Sequence, residues 1–367
     1  MLLFIYRSVE IILIMSLNKK RIYGIDGLRF IAAISVVLFH YLSYSVDKTF
    51  LEVLKKSDFG WLTSISKYGF LGVELFFMIS GFVILYSAKG KSWQSFACSR
   101  FLRIYPMLWL AASITFVCLV FFGSANKEPS LWQYLTNLTL MHRFIFNQPH
   151  LDGVYWTLTV ELRFYLIIGI LIAYNLLTEK NIKLIMFLWA VTGLIYLFLG
   201  KNGNFITSGT YFAAGVGFYY IWSSGTTIHN IGYMLLTFII SSISVVLSHA
   251  SEGLSHSVLV ILMCSFFCIF YLLVNGWTPP ISKKIMTWLG GLTYPLYLLH
   301  QEIGYSLLQY VSNGTGYIYY ALFLVLLMSF LSWGIYYLVE PRLNRYIDFT
   351  LGYLVRKFRA SSLTMKY

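Results

Sequence analysis

Charge is scarce in this chain. Asp, Glu, Lys and Arg together make up 11% of its 367 residues, against about 25% in an ordinary soluble domain. A water-facing globular surface cannot be built from so little charge, so a soluble protein is excluded. Cysteine is almost as rare. Cys118, Cys264 and Cys268 lie in apolar runs and Cys98 in a basic loop, which argues against a zinc cluster or a disulfide framework. No metal site is expected, and Cys264 and Cys268, one helical turn apart, read as packing residues. Disorder and collagen-like order fail as well, because apolar residues dominate and no repeat is visible. What is abundant is hydrophobic: 58% of the residues, with aromatics at 19% and a mean hydropathy of +0.71. The class left is an all-α polytopic membrane protein.

A crossing needs about twenty apolar residues. Candidate spans fall near 24–44, 67–88, 101–122, 155–175, 183–200, 205–222, 229–248, 256–275, 287–310 and 316–340, about ten in all. The glycine-containing run 205–222 and the run 155–175, with Glu161 and Arg163, are the weakest on hydropathy. The chain divides into an N-terminal segment, 1–23, a membrane domain, 24–340, and a basic tail, 341–367, with no soluble domain expected. Residues 1–14 are apolar but too short to span, and the basic Lys19-Lys20-Arg21 follows them, opposite to a secretory signal. Either Met15 is the true start or 1–14 lies in the membrane interface.

The net charge of +13 invites a nucleic-acid reading, but the placement of the basic residues argues against one. With both termini inside, the cytoplasmic segments hold 17 Lys and Arg and the outer segments 7, as the positive-inside bias requires. An odd number of spans would spoil this alternation. Trp132, Tyr134, Phe144 and Phe146 in the loop 123–154 suggest an amphipathic segment on the outer interface.

Ionisable residues inside spans point to function. At about 1.5 Å per residue, His40, Glu74, Glu161 and His300 all fall in the outer half of a hydrocarbon core about 30 Å thick. A second group, Arg29, Arg100, Arg103 and Glu340, lies toward the inner side. Arg100 and Arg103 share a helix face and suit a phosphate-bearing cytosolic ligand, although simple membrane anchoring explains them equally well. Arg29 and His40 are eleven residues apart, about three turns, so they share a stripe roughly 16.5 Å long. A long, thin, phosphate-headed molecule such as coenzyme A fits that stripe. Structural alternatives stay open: Arg29 paired only with Asp26, His40 and His300 as core histidines, and Glu74 and Glu161 as partners of Arg163 or of tyrosine hydroxyls.

Seven strings in order cover nearly the whole chain after residue 20: DGLRFIAAISVVLFHY (26–41), GFLGVELFFMISGFVI (69–84), SRFLRIYP (99–106), YWTLTVELRFY (155–165), YFAAGVG (211–217), LGGLTYPLYLLH (289–300) and YYLVEP (336–341). In these the sequence resembles the acyltransferase-3 family of integral membrane acyltransferases. The resemblance implies a bacterial cytoplasmic-membrane enzyme that moves an acyl group, usually acetyl, from cytoplasmic acyl-CoA to a hydroxyl on an extracytoplasmic glycan or lipid-linked saccharide. It maps the family's arginine-to-histidine motif onto Arg29 and His40, its acyl-CoA-binding arginine pair onto Arg100 and Arg103, and its span-four glutamate onto Glu161. Proline follows Glu340 directly, a departure from the family's last-helix signature.

These residues suggest a scheme. Arg100, Arg103 and Arg29 bind the donor. His40 is the general base, a carboxylate (Glu74 or Glu161) orients it, and His300 binds the acceptor or stabilises an oxyanion. Acyl-CoA, the saccharide acceptor and membrane lipid are the expected partners. The rival reading, a transporter or flippase for a glycan or glycolipid, predicts inverted repeats. No similarity between 24–175 and 183–340 is apparent.

Overall fold

A computed structural model of the chain describes residues 21–43, 60–123, 128–250, 252–311 and 314–342. The basic tail, the start of the chain and the Met15 question lie outside the described residues. Ten long helices fall on the ten expected spans: α1 (Tyr23–Leu42), α2 (Gly72–Ala88), α3 (Trp93–Phe122), α4 (Tyr155–Ala173), α5 (Glu179–Phe198), α6 (Gly209–Ser224), α7 (Ile228–Ser248), α8 (His256–Val274), α9 (Lys283–Leu308) and α10 (Gly314–Gly334). Among the described residues there are no strands. Eight of the helical segments are long and apolar enough to cross a membrane, which defines a polytopic membrane protein.

The other two, α6 and α9, are the innermost. α6 has 16 residues, and all of Gly209 to Ile221 is buried. A helix that meets protein on every side need not carry a lipid-length apolar surface. α9 is 26 residues long, but its polar groups face other helices: Thr293, His300, Glu302 and Ser306 are all buried. α9 packs on α1, α3 and α10, and α6 packs on α2, α5 and α7, while α1 against α2 joins the two groups. The closest crossing is α2 on α6, at Gly81 and Gly215. A side chain on Gly215 would run into the Met78 carbonyl, and one on Gly81 into the Phe212 carbonyl, so only glycine lets these backbones approach.

Caps and back-bonds satisfy helix-end N–H groups and in-helix hydroxyls, as an apolar solvent demands. Ser92, Thr178, Thr227 and Ser282 each accept a backbone N–H at the start of a helix. Ser113, Thr192, Ser265, Ser329 and Ser332 donate to the carbonyl four residues earlier. Toward Glu340, α10 continues in a π-helical turn, Ile335–Val339.

Three local expectations change. The short stretch 205–222 is broken into Asn204–Thr207 and α6. Cys264 and Cys268 share a face, as expected, but it is an exposed one, with their sulfurs 4.0 Å apart; the face meets surroundings, not core. In the loop after α3, Trp132 and Phe144 are exposed, whereas Tyr134 turns inward, stacking on Phe116 and bonding Ser113.

Candidate active site

Helices α1 and α9 carry two histidines to one point. Their rings lie 5.2 Å apart, centre to centre, close to the last turn of α1. The junction is fixed by tyrosines. The Tyr41 hydroxyl donates to the His300 carbonyl at 2.7 Å, and Tyr317 on α10 donates to the Tyr41 carbonyl at 2.8 Å. Gly304, beside the Tyr41 ring, leaves room for it.

Each histidine is bonded at Nδ1. His40 Nδ1 bonds the Tyr305 hydroxyl at 2.7 Å. His300 is fully buried, and its Nδ1 lies 2.9 Å from the Tyr297 carbonyl. A carbonyl only accepts, so Nδ1 carries the proton of the neutral ring and Nε2 is left as a lone-pair acceptor. That Nε2 is buried with no hydrogen-bond partner among the described residues. Leaving such an atom unsatisfied costs about 1–3 kcal/mol, so His300 Nε2 is open to a hydrogen-bond donor from outside the described residues.

The second assembly is built around Arg29, Arg100 and Arg103. Arg29 and Glu161 line one narrow cavity of about 60 Å³, together with Ser80, Thr157, Tyr294 and Tyr297. The Glu161 Oε1 accepts from Tyr165 at 2.8 Å and Ser80 at 3.1 Å. Tyr165 is also the seat of Arg100, whose guanidinium lies 5.6 Å from its ring and 5.8 Å from that of Phe96. Arg103 sits 5.2 Å from the ring of Tyr294 and within electrostatic reach of Glu340. Among the described residues, no ion pair closes on any of these three arginines. Arg100 Nε reaches the Ser99 hydroxyl at 3.4 Å; otherwise a cation held by ring faces keeps its terminal N–H donors for a ligand.

The structure thus groups the expected site residues in two sets. His40 and His300 meet, and Arg29, Arg100, Arg103 and Glu340 gather toward the other end of the bundle. Glu161 joins the arginines, its carboxylate on Ser80, which lies six residues deeper along α2 than Glu74 and hence about 9 Å further in. Depth counted along separate helices missed this, because it ignores which neighbour a side chain reaches. The tyrosine-hydroxyl alternative for Glu161 is realised in Tyr165. Glu74 opens α2 with Oε2 buried and without a partner among the described residues, within electrostatic reach of Tyr211 and Tyr297. Asp26 pairs with Arg21 at 2.8 Å, and Arg29 lies within electrostatic reach of both Asp26 and Glu161, so Asp26 is not its sole partner. No group of three or more metal-ligating side chains forms among the described residues.

Tyr297 links the two sets. Its hydroxyl reaches Thr157 at 3.1 Å in the narrow cavity, while its carbonyl fixes His300. Tyr165, Tyr294, Tyr297 and Tyr305 were not selected from the sequence. The available signal was the spacing of Tyr294, Tyr297 and His300 at three-residue steps on one face of α9.

An apolar helical bundle with two facing histidines at one end and a cluster of arginines at the other frames the candidate site. A family model described as an acyltransferase domain matches residues 22–337, and the chain belongs to that family. Among curated proteins, the peptidoglycan O-acetyltransferase OatA of Listeria monocytogenes is 28% identical over 189 residues, 46% of this chain and 27% of that protein. Nodulation protein 10 of Rhizobium leguminosarum is 33% identical over 120 residues, 28% of this chain and 32% of that protein. The chain therefore spans about a third or less of the length of these relatives. No solved structure matches it.

Proposed function

We propose that the protein is an integral membrane O-acyltransferase that moves an acyl group, acetyl in the simplest case, from cytoplasmic acyl-CoA to a hydroxyl of an extracytoplasmic saccharide. One observation carries the reading: α1 and α9 bring His40 and His300 together while α1 and α3 supply Arg29, Arg100 and Arg103 toward the opposite end. A donor with an anionic head and an acceptor with a hydroxyl could then meet inside the bundle from opposite sides. The termini and the arginine end are assigned to the cytoplasm by the positive-inside bias.

In the reaction, the acceptor oxygen attacks the thioester carbonyl. Its proton passes to a ring nitrogen of His40, the carbon–sulfur bond breaks, and the CoA sulfur leaves with that proton. Tyr305, bonded to His40 Nδ1, orients the base, a role expected of a carboxylate from the sequence. A neutral His300 with its proton on Nδ1 cannot donate from Nε2, so of its two expected roles the acceptor-binding one is favoured: Nε2 receives a hydrogen bond from a saccharide hydroxyl. Glu161 neutralises the arginine cluster beside the narrow cavity, and Glu74 offers an unused carboxylate oxygen to the acceptor.

The test uses purified protein, radiolabelled acetyl-CoA and membranes or glycan extract from the source cell. Label should move to a saccharide with the wild type and not with His40→Ala. Label transfer by His40→Ala at the wild-type rate would sink the base assignment. Absence of both CoA binding and transfer in the wild type would favour the transporter reading instead.

A further inference from the structure

The narrow cavity beside Arg29 has a volume of about 60 Å³, whereas sites for drug-sized ligands occupy about 300–1,000 Å³. It takes a slender arm and not a nucleotide. If the donor is acyl-CoA, its nucleotide must lie elsewhere at the arginine end. Two cavities there are wide enough. One, of about 510 Å³, lies among Tyr23, Lys283, Lys284, Trp288 and Tyr336. The other, of about 480 Å³, is bounded by the ends of α2, α4 and α6, with Lys89, Lys91, Asn175, Tyr219, Tyr220 and Ser224 in its wall.

We propose that the second cavity, between the ends of α2, α4 and α6, is a binding site for the adenosine 3′,5′-bisphosphate portion of the donor. This rests on the acyl-CoA reading above. Two arguments select it. The first is continuity. Lys91 Nζ and Arg100 Nε both donate to the Ser99 hydroxyl, at 3.4 Å each. Arg100 lies against Tyr165, and Tyr165 bonds Glu161 in the wall of the narrow cavity. One chain of contacts thus runs from the wide cavity to the slender one.

The second argument is chemical fit. The helices α2, α4 and α6 all end here; their last carbonyls are in part already bonded, as at Tyr220 by Asn230 Nδ2, but each carbonyl oxygen has a second lone pair to offer. Carbonyls accept from an adenine amino group and from ribose hydroxyls, but they repel phosphate. Lys89 and Lys91 supply the compensating charge on the side nearest Arg100, where phosphates would sit. The Asn175 and Ser224 side chains add neutral polar partners, and Tyr219 and Tyr220 give an aromatic wall for a base.

The experiment measures binding of CoA, adenosine 3′,5′-bisphosphate and pantetheine to the purified full-length protein by calorimetry. Variants are Lys89→Glu, which reverses charge on an exposed residue, and Ser224→Trp, which fills the cavity from its exposed rim. Lys284→Glu probes the rival cavity. Each of the first two should weaken CoA and the bisphosphate by about tenfold or more, the equivalent of one charge-assisted contact, and leave pantetheine and Lys284→Glu at wild-type affinity. Wild-type CoA affinity in both variants, loss of pantetheine along with CoA, or loss in Lys284→Glu alone would overturn the site while leaving the donor reading intact. A wild type that binds neither CoA nor the bisphosphate would overturn the donor reading itself.

Discussion

The two ends of the bundle hold their functional groups by different means. At one end, two imidazoles are each bonded at Nδ1, one to a tyrosine hydroxyl and the other to a backbone carbonyl. At the other, two cations rest on aromatic faces, Arg100 on Tyr165 and Arg103 on Tyr294. In both sets part of the bonding capacity stays available: His300 keeps Nε2, and an arginine on a ring face keeps its terminal N–H donors. The difference lies in tolerance. A hydrogen bond fixes direction to a few tens of degrees, as proton transfer demands. A cation–π contact fixes place but permits sliding, which suits a phosphate-bearing substrate that must enter and leave.

The comparison breaks most visibly at the histidine end. Removing a general base typically lowers a rate by roughly 10²–10⁴-fold, so His40→Ala should abolish transfer in a radiolabel assay with little change in donor affinity. At the arginine end the loss should appear in binding. Arg100→Ala and Arg103→Ala, which each lose charge-assisted contacts, should raise the donor KM by about tenfold or more with a smaller change in kcat.

Tyr305→Phe sharpens the contrast. The imidazole stays but loses its anchor, so kcat should fall roughly tenfold, the size of one hydrogen bond to a charged group, with a shifted pH–rate profile. A mere packing role would leave the profile in place.

The smallest effect belongs to the loop over the histidine end. There His142 is fully buried and its Nε2 lies 2.7 Å from His150 Nδ1. Burial, with a smaller contribution from Arg143, pushes His142 down to about 4. Its unfolded form titrates near 6.5, so between those values the opened loop binds more protons than the closed one. The loop's stability is therefore full above about pH 6.5 and falls as pH drops toward about 4. Amide exchange across 138–154, corrected for intrinsic rates, should accelerate at pH 5 relative to pH 7.5, and His142→Gln should remove that dependence.

What could be read from the sequence follows from what helices expose in one dimension. The ten long helices were legible because apolar runs and basic flanks are local properties. Arg29 and His40 shared a stripe because both lie on one helix. Pairings between helices were not legible. Glu161, placed near the histidines by counting residues, sits with the arginines because its carboxylate reaches Ser80 and its own Tyr165. Asp26, one turn from Arg29, bonds Arg21 as well as acting on Arg29. Tyr305 could not be singled out among 29 tyrosines, since only the packing of α1 on α9 selects it. The buried face of α6 was similarly hidden: glycines that weaken a hydropathy signal are what allow its contact with α2.

The central claim is a division of labour, with the donor held at the arginines and the proton moved at the histidines. Equilibrium binding of acetyl-CoA to purified His40→Ala and Arg100→Ala, beside their transfer rates, tests it most directly. The account predicts that His40→Ala binds acetyl-CoA as the wild type does yet transfers nothing, while Arg100→Ala binds weakly and regains transfer at high donor concentration. Loss of acetyl-CoA binding in His40→Ala, with wild-type binding in Arg100→Ala, would contradict it.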